Sequence, residues 1–368
     1  YGSRGAKLVG RSQFVWIVAA ALAVLAPLAA GAEDSDPAGP DLALYRSGDS
    51  FLRPTLTIEA AAFSESNAWL GESRTVVGNH VGYWREYAVT GGLEGALALD
   101  EAGSLFGRVS GIGAGSQGLD AAGSNFDDEY PENLELEDAY LGWRSGKLFP
   151  SLDENALELS VGKLAYAIGS GFLLRDGASD GGRRGAYWIA PRKAFYMTAV
   201  AKLQTGPYKV EGFYLKPNDE AFTSTDVVGG NFEYTAGETG TLGVSYLKIT
   251  DSQSESRDGM DVFDWRLDLT PIPRDRSLQL RGEFALERNG SSQDSSAWYA
   301  EAGYAFDETS WTPFVSYRYA WFEGDDAGGQ RVLDRIEVGE DMVCEAVLAN
   351  RLPQVLGRVE LRAVRRQE

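Results

Sequence analysis

Among 368 residues there is one cysteine, one histidine, and 34 basic side chains against 54 acidic ones. Cys344 by itself closes no intrachain disulfide, and His80 by itself supplies neither a histidine metal cluster nor a serine triad. A formal charge of -20 argues against nucleic acid as a partner. Long apolar runs are scarce too. Only one is present, at 14–30, and a mean hydropathy of -0.25 excludes a bundle of membrane helices. A membrane β-barrel passes that test, because only every second residue of its strands meets lipid.

What is there begins with an address. Arg4, Lys7 and Arg11 precede the apolar run, and Ala30-Gly31-Ala32 supplies the small residues that a signal peptidase needs. Residues 1–32 read as a secretory signal cleaved after Ala32. A single anchoring helix is the competing reading, but 17 residues interrupted by Pro27 are short for a span. Residues 33–50 form an acidic, Pro-rich periplasmic lead-in.

From Phe51 onward the pattern has period two, punctuated by Gly, Asn, Asp, Ser and Pro, as in strands joined by turns. Thirteen strands are expected, at 51–63, 83–100, 104–115, 132–143, 155–166, 194–203, 208–216, 226–234, 240–249, 260–269, 278–288, 297–306 and 311–322. Most have the length of a tilted strand crossing a bilayer, whereas globular strands average about five or six residues. Connections alternate between tight turns, such as 101–103 and 204–207, and long polar loops, such as 64–82, 116–131 and 167–193. Short periplasmic turns and long external loops characterise outer-membrane barrels.

The faces differ in chemistry. Phe263, Trp265, Leu267 and Leu269 share one face, and Asp264, Arg266 and Asp268 the other. Leu280 and Phe284 likewise oppose Gln279, Arg281 and Glu283, and Tyr317 and Tyr319 oppose Ser316 and Arg318. Apolar faces with aromatic ends fit interfacial girdles. The fold class read from this is all-β: a transmembrane antiparallel up-and-down β-barrel over 51–326, in the outer membrane of a Gram-negative bacterium, touching lipid and lipopolysaccharide. The remainder, 327–368, is atypical. All 42 aromatics lie before residue 323, so this tail reads as a frameshifted or truncated end that adds no regular barrel strand.

The stretch GSGFLLRDGASDGGRRGAYWIAPRKAF at 169–195 resembles the alginate export family of outer-membrane porins. So do LEDAYLGW at 136–143, LSVGKLAY at 159–166 and SYRYAWFEGDD at 316–326. The likeness implies a monomeric barrel of eighteen strands, of which about thirteen are present here. It also implies outward passage of an anionic, alginate-like polysaccharide through an Arg- and Lys-rich constriction, with periplasmic export partners. About five strands and a terminal aromatic of the family pattern are absent.

In the same block Arg175, Arg183, Arg184, Arg192 and Lys193 face only Asp176 and Asp180. Gly181-Gly182 permits a tight turn, and Tyr187, Trp188 and Pro191 stiffen the segment. Folded into a lumen, it would form an anion filter, since Arg binds carboxylates in bidentate fashion. A solvated external loop is the alternative.

Phasing adds Arg108, Lys202, Arg266, Arg281 and Arg318 to the pathway, together with Arg53 and Lys209. Against these seven bases stand ten inward acids: Glu59, Glu94, Glu158, Glu211, Glu233, Asp264, Asp268, Glu283, Glu287 and Glu301. That is no electropositive wall, and cross-strand pairing is expected to absorb many of the charges.

Asp127-Asp128 and Asp325-Asp326 suit calcium chemically, but acidic loop tips are more often simply solvated. His80 has no marked Ser or Asp partner. The reading is therefore a non-enzyme without cofactor: a porin for anionic oligo- or polysaccharide. Competing readings are a non-conducting scaffold or adhesin barrel, and a secreted soluble β-fold carbohydrate-active protein.

Overall fold

β-Branched and aromatic residues at alternate positions, broken by Gly, Pro and Asp, fit a half-buried pleated surface. The chain accordingly forms one antiparallel sheet. The computed structural model describes residues 43–66, 81–118, 120, 130–218, 224–272, 277–290, 294–306, 313–323 and 356–363. The expected signal segment, most of the lead-in, His80, Asp127-Asp128, Asp325-Asp326 and Cys344 lie outside them.

The strands are β1 (Tyr45–Ser47), β2 (Ser50–Ser66), β3 (Val81–Ala98), β4 (Ser104–Gln117), β5 (Glu132–Arg144), β6 (Leu157–Lys163), β7 (Met197–Thr205) and β8 (Tyr208–Lys216). They continue as β9 (Asp226–Thr235), β10 (Gly240–Asp251), β11 (Asp261–Leu269), β12 (Leu278–Arg288), β13 (Asp294–Ala305), β14 (Pro313–Phe322) and β15 (Leu356–Ala363). Each pairs antiparallel with its sequence neighbour, in the order β1 to β15. All thirteen expected strands are present, and two bear exact limits, β8 and β12.

Three differences have physical reasons. The expected strand 155–166 shrinks to β6, because Gly162 takes φ +129° and the chain then leaves the ladder to cross the inner face. The short β1 closes a hairpin on β2 through Arg46↔Phe51. The tail does add a strand: β15 pairs with β14 from Pro313↔Ala363 to Ala320↔Leu356, because alternation in LGRVELRA suffices for pairing without aromatics. Among the described residues no pairing joins β15 to β1.

Burial confirms the two faces. Asp264 is 1% exposed between Phe263 at 38% and Trp265 at 44%. Glu283 and Ala285 are buried while Phe284 is exposed, and Ser316 and Ala320 are buried while Tyr317 is exposed. The outer face carries Leu56, Leu93, Val109, Leu141, Val161, Val210, Val244 and Leu267, all exposed. At the short-turn rim Tyr208 lies beside Tyr234, and Tyr304 beside Phe306; nearer the long-loop rim Tyr246 lies beside Phe263, and Trp298 beside Tyr319. An apolar outer band between aromatic rows, on an up-and-down antiparallel sheet, is the architecture of an outer-membrane β-barrel wall.

The inner face wraps the connection 164–196 between β6 and β7. Its residues Ile168, Phe172, Leu173, Leu174 and Phe195 pack with Phe213 and Leu215 of β8, Leu247 and Ile249 of β10, Val262 of β11, Ala285 of β12, Tyr299 of β13 and Ala320 of β14. Ala186 and Ile189 pack instead on Ala88 of β3 and Ile112 and Ala114 of β4. One segment thus meets the same face of strands from both halves of the sheet, so the sheet curls around it. Each fully buried Leu, Ile or Phe contributes about 1.5–3 kcal/mol to that docking.

Candidate functional site

The crossing segment has no strand ladder, so its backbone N–H groups need other acceptors. Inner-face side chains near the long-loop rim supply them. Glu86 of β3 accepts from Trp188 N at 2.8 Å and Ile189 N at 2.9 Å. Glu137 of β5 accepts from Lys193 N at 2.7 Å and Ala194 N at 3.0 Å. Ser116 Oγ of β4 accepts from Ala186 N at 2.7 Å. Bonds to carboxylates are roughly twice as strong as neutral ones, so two glutamates clamp the segment.

A β-bulge makes the second clamp possible. The β4–β5 register passes from Ser110↔Asp138 to Gly111↔Leu136, leaving Glu137 as the extra residue. Bulges re-aim side chains. Glu137 and Asp138 are consequently both on the inner face, where Asp138 binds Ser110 Oγ at 2.6 Å and Arg108 at 3.1 Å.

The basic residues of the segment separate into two groups. Arg184 and Arg192 are internal. Arg184 meets Glu135 at 3.0 Å and donates to the carbonyl oxygens of Asn218, at 2.7 Å, and Ser179, at 3.0 Å. Arg192, with its side chain 0% exposed, meets Asp180 at 2.6 Å and Glu135 at 4.0 Å. These two guanidiniums, expected to face a permeating solute, instead hold the segment together, because burial demands a carboxylate partner. Arg183 is exposed in a 3-10 turn, Gly182–Arg184. Arg175 and Lys193 are about one third exposed and share Asp176, at 3.5 and 3.2 Å.

On the wall, cross-strand pairing absorbs the cations as expected. Arg53 meets Glu94 at 2.5 Å, Arg281 meets Asp268 at 3.2 Å, and Arg318 meets Glu301 at 2.6 Å. Lys209 bridges Glu211 and Glu233 at 3.2 and 3.1 Å. Arg266 is buried on Asp264, Asn231 and Ser245, with Glu233 at 3.6 Å. Lys202 lies opposite Glu158 and Glu211 in the register, away from the segment's clamps. The inner wall is therefore polar and largely self-neutralised.

Two consequences are measurable. Gly185 has φ +65° and ψ -168°, a region open essentially to glycine alone, and a Cβ there would lie 2.9 Å from Gly115 Cα and Pro131 O. Gly185→Ala is expected to cost the docked segment about 1–3 kcal/mol, read as faster proteolysis within 164–196. Unchanged cleavage would disprove the close approach.

Asp180 gives the other. Burial pushes its carboxyl up to about 7 despite the pull of Arg192. The docked segment then holds a proton that an undocked aspartate, with a pKa of about 3.9, has released. Docking is strongest at low pH, weakens as pH rises from about 4 to about 7, and is flat above. Proteolysis within the segment should accelerate over that window, and Asp180→Asn should make the profile shallower.

Fold and site together define a membrane barrel wall with an inserted, clamped segment. No family model and no curated protein matches the chain. Among solved structures it is similar to the outer-membrane expressed OmpT of Vibrio cholerae, at 12% identity and TM-score 0.33, covering 76% of this chain and 89% of that one. It is also similar to a mutant of the Rh. blastica porin, at 10% identity and TM-score 0.34, covering 73% and 94%. A third is Acinetobacter baumannii OccAB4, at 10% identity and TM-score 0.39, covering 74% and 83%.

Sequence phasing missed both clamps. Glu86 shares its phase with Glu94 and was readable as inward. Glu137 is ambiguous by alternation, because Leu134 and Leu136 put it inward and Leu141 puts it outward, the phase shifting at the bulge.

Proposed function

We propose that this chain forms an outer-membrane pore for passive diffusion of anionic oligo- or polysaccharide, of the uronate class. The observation that carries the reading is the clamped segment 164–196, which narrows the inner face while keeping Arg183, and part of Arg175 and Lys193, exposed. Arg175 and Lys193 share the single carboxylate of Asp176, so this pair keeps a net positive charge that favours anions. Arg184 and Arg192 shape the constriction without presenting charge to a solute.

The test is reversal potential across a salt gradient, for the protein reconstituted in a planar bilayer. Arg175→Gln, Arg183→Gln and Lys193→Gln combined should shift selectivity toward cations, more at low salt than at high salt. An unchanged potential removes anion selectivity and leaves the general pore. A non-conducting scaffold is the second reading, favoured by the large apolar cluster that the segment forms with β8 and β10–β14. Absence of single-channel conductance in a folded barrel would decide for it.

A further inference from the structure

Four aromatic rings meet where the segment is clamped to β3. Phe63 of β2 stacks on Trp84 of β3, with centroids 5.0 Å apart and planes at 15°. Trp188 lies against Trp84 at 5.5 Å. Tyr187 stands nearly perpendicular to Trp188, at 5.6 Å and 86°. Trp84 is 2% exposed, but Tyr187 and Trp188 each keep 37% of their surface open. Buried Trp84 and half-buried Phe63 support the open pair.

The open pair is held with unusual rigidity. Ala186 N is bound by Ser116, and Trp188 N and Ile189 N by Glu86. The turn closes on itself through Ala190 N to Ala186 O at 3.0 Å. Ala186 and Ala190, which bracket the two rings, have φ of +55° and +38°. Such conformations are costly for residues with a Cβ, and they persist where the surroundings over-determine them, often at ligand sites. Three anchors and two strained alanines therefore fix a right-angled aromatic corner on the inner face, whereas Phe263 and Trp265 of β11 and Tyr317 of β14 face outward.

We propose that Tyr187 and Trp188 form a stacking platform for a pyranose ring of the solute. A pyranose has a C–H face and a hydroxylated rim. Partly exposed aromatic rings beside a polar wall match both, and rigid aromatics bind with little loss of side-chain entropy. Exposed Arg183, in the same segment, supplies the charge partner for a uronate carboxylate. The proposal rests on the pore reading for its solute class but makes a separate claim about where the sugar sits.

The experiment measures binding of a uronate trimer and of a neutral glucose oligomer to the full chain, by block of single-channel current and by titration calorimetry in detergent. Heat-modifiable gel migration checks that each variant is folded. Trp188→Ala should weaken both sugars at least tenfold, Tyr187→Ala at least threefold, and Trp188→Phe should stay within threefold of the parent. Arg183→Gln should weaken the uronate alone. Equal sugar binding by the parent and Trp188→Ala, or no sugar binding by a conducting parent, overturns the platform and leaves the pore standing. If Trp188→Ala does not fold, Tyr187→Ala decides, since that ring packs on Trp188 at the open edge. A folded parent that does not conduct overturns the pore, and calorimetry on the same variants still decides the platform.

Discussion

Leu267→Arg is expected to abolish or severely impair assembly of the folded barrel, whereas Gln279→Arg, on the neighbouring strand, leaves it intact. Leu267 is the seventh of the nine residues of β11, opposite Leu242 and Gly282, in the outer band with Trp265 and Phe263. An arginine there meets hydrocarbon and costs about 2–4 kcal/mol near the midplane, a large part of a typical stability of about 5–15 kcal/mol. Gln279 lies on the inner face, where it already accepts a hydrogen bond from Arg281 at 3.3 Å. An added guanidinium there stays on the polar inner face beside Arg281 and avoids hydrocarbon. Heat-modifiable gel migration and urea midpoints report the difference. Equal assembly of the two variants would mean that the inner and outer faces have been exchanged.

Removing both clamps, by Glu86→Ala with Glu137→Ala, is expected to free the crossing segment and raise single-channel conductance at least twofold. The pair accepts four backbone N–H groups of the segment, and each buried donor left unpaired costs about 1–3 kcal/mol. The apolar cluster on β8 and β10–β14 would still hold Ile168, Phe172 to Leu174 and Phe195, and the stretch between them would be loosened. The β3–β5 side loses its grip while Ser116 and the Arg184–Glu135 pair remain. Glu86→Gln with Glu137→Gln, which keeps an acceptor oxygen at each site, should give a smaller rise. Conductance and proteolysis identical to the parent would show that the glutamates do not hold the segment.

The sequence by itself determined the strands and their faces. A strand needs only local alternation, and each adjacent pair is closed by a near turn, so β8 at 208–216 and β12 at 278–288 are legible residue by residue. The tail shows the limit of a compositional argument. Lack of aromatics after Phe322 removes girdle residues but not the alternation that pairs β15 with β14. The ion pairs of the wall were legible too, because register places Arg318 opposite Glu301 and Arg281 opposite Asp268.

Only the tertiary structure decided what the basic segment does. Its charge count pointed to a filter, yet Arg184 and Arg192 pair with Glu135 and Asp180 as the segment folds across the inner face. The glutamate clamps join residues about a hundred and about fifty-six positions apart, a separation at which no periodic pattern carries information. The bulge at Glu137 reverses the alternation along β5, so that Glu137 and Asp138 both face inward, which period two alone does not allow. Strand pairing is set by neighbours along the chain. The docking of an irregular segment is set by which acceptors a curled sheet brings to its unpaired N–H groups, and only the folded sheet contains that.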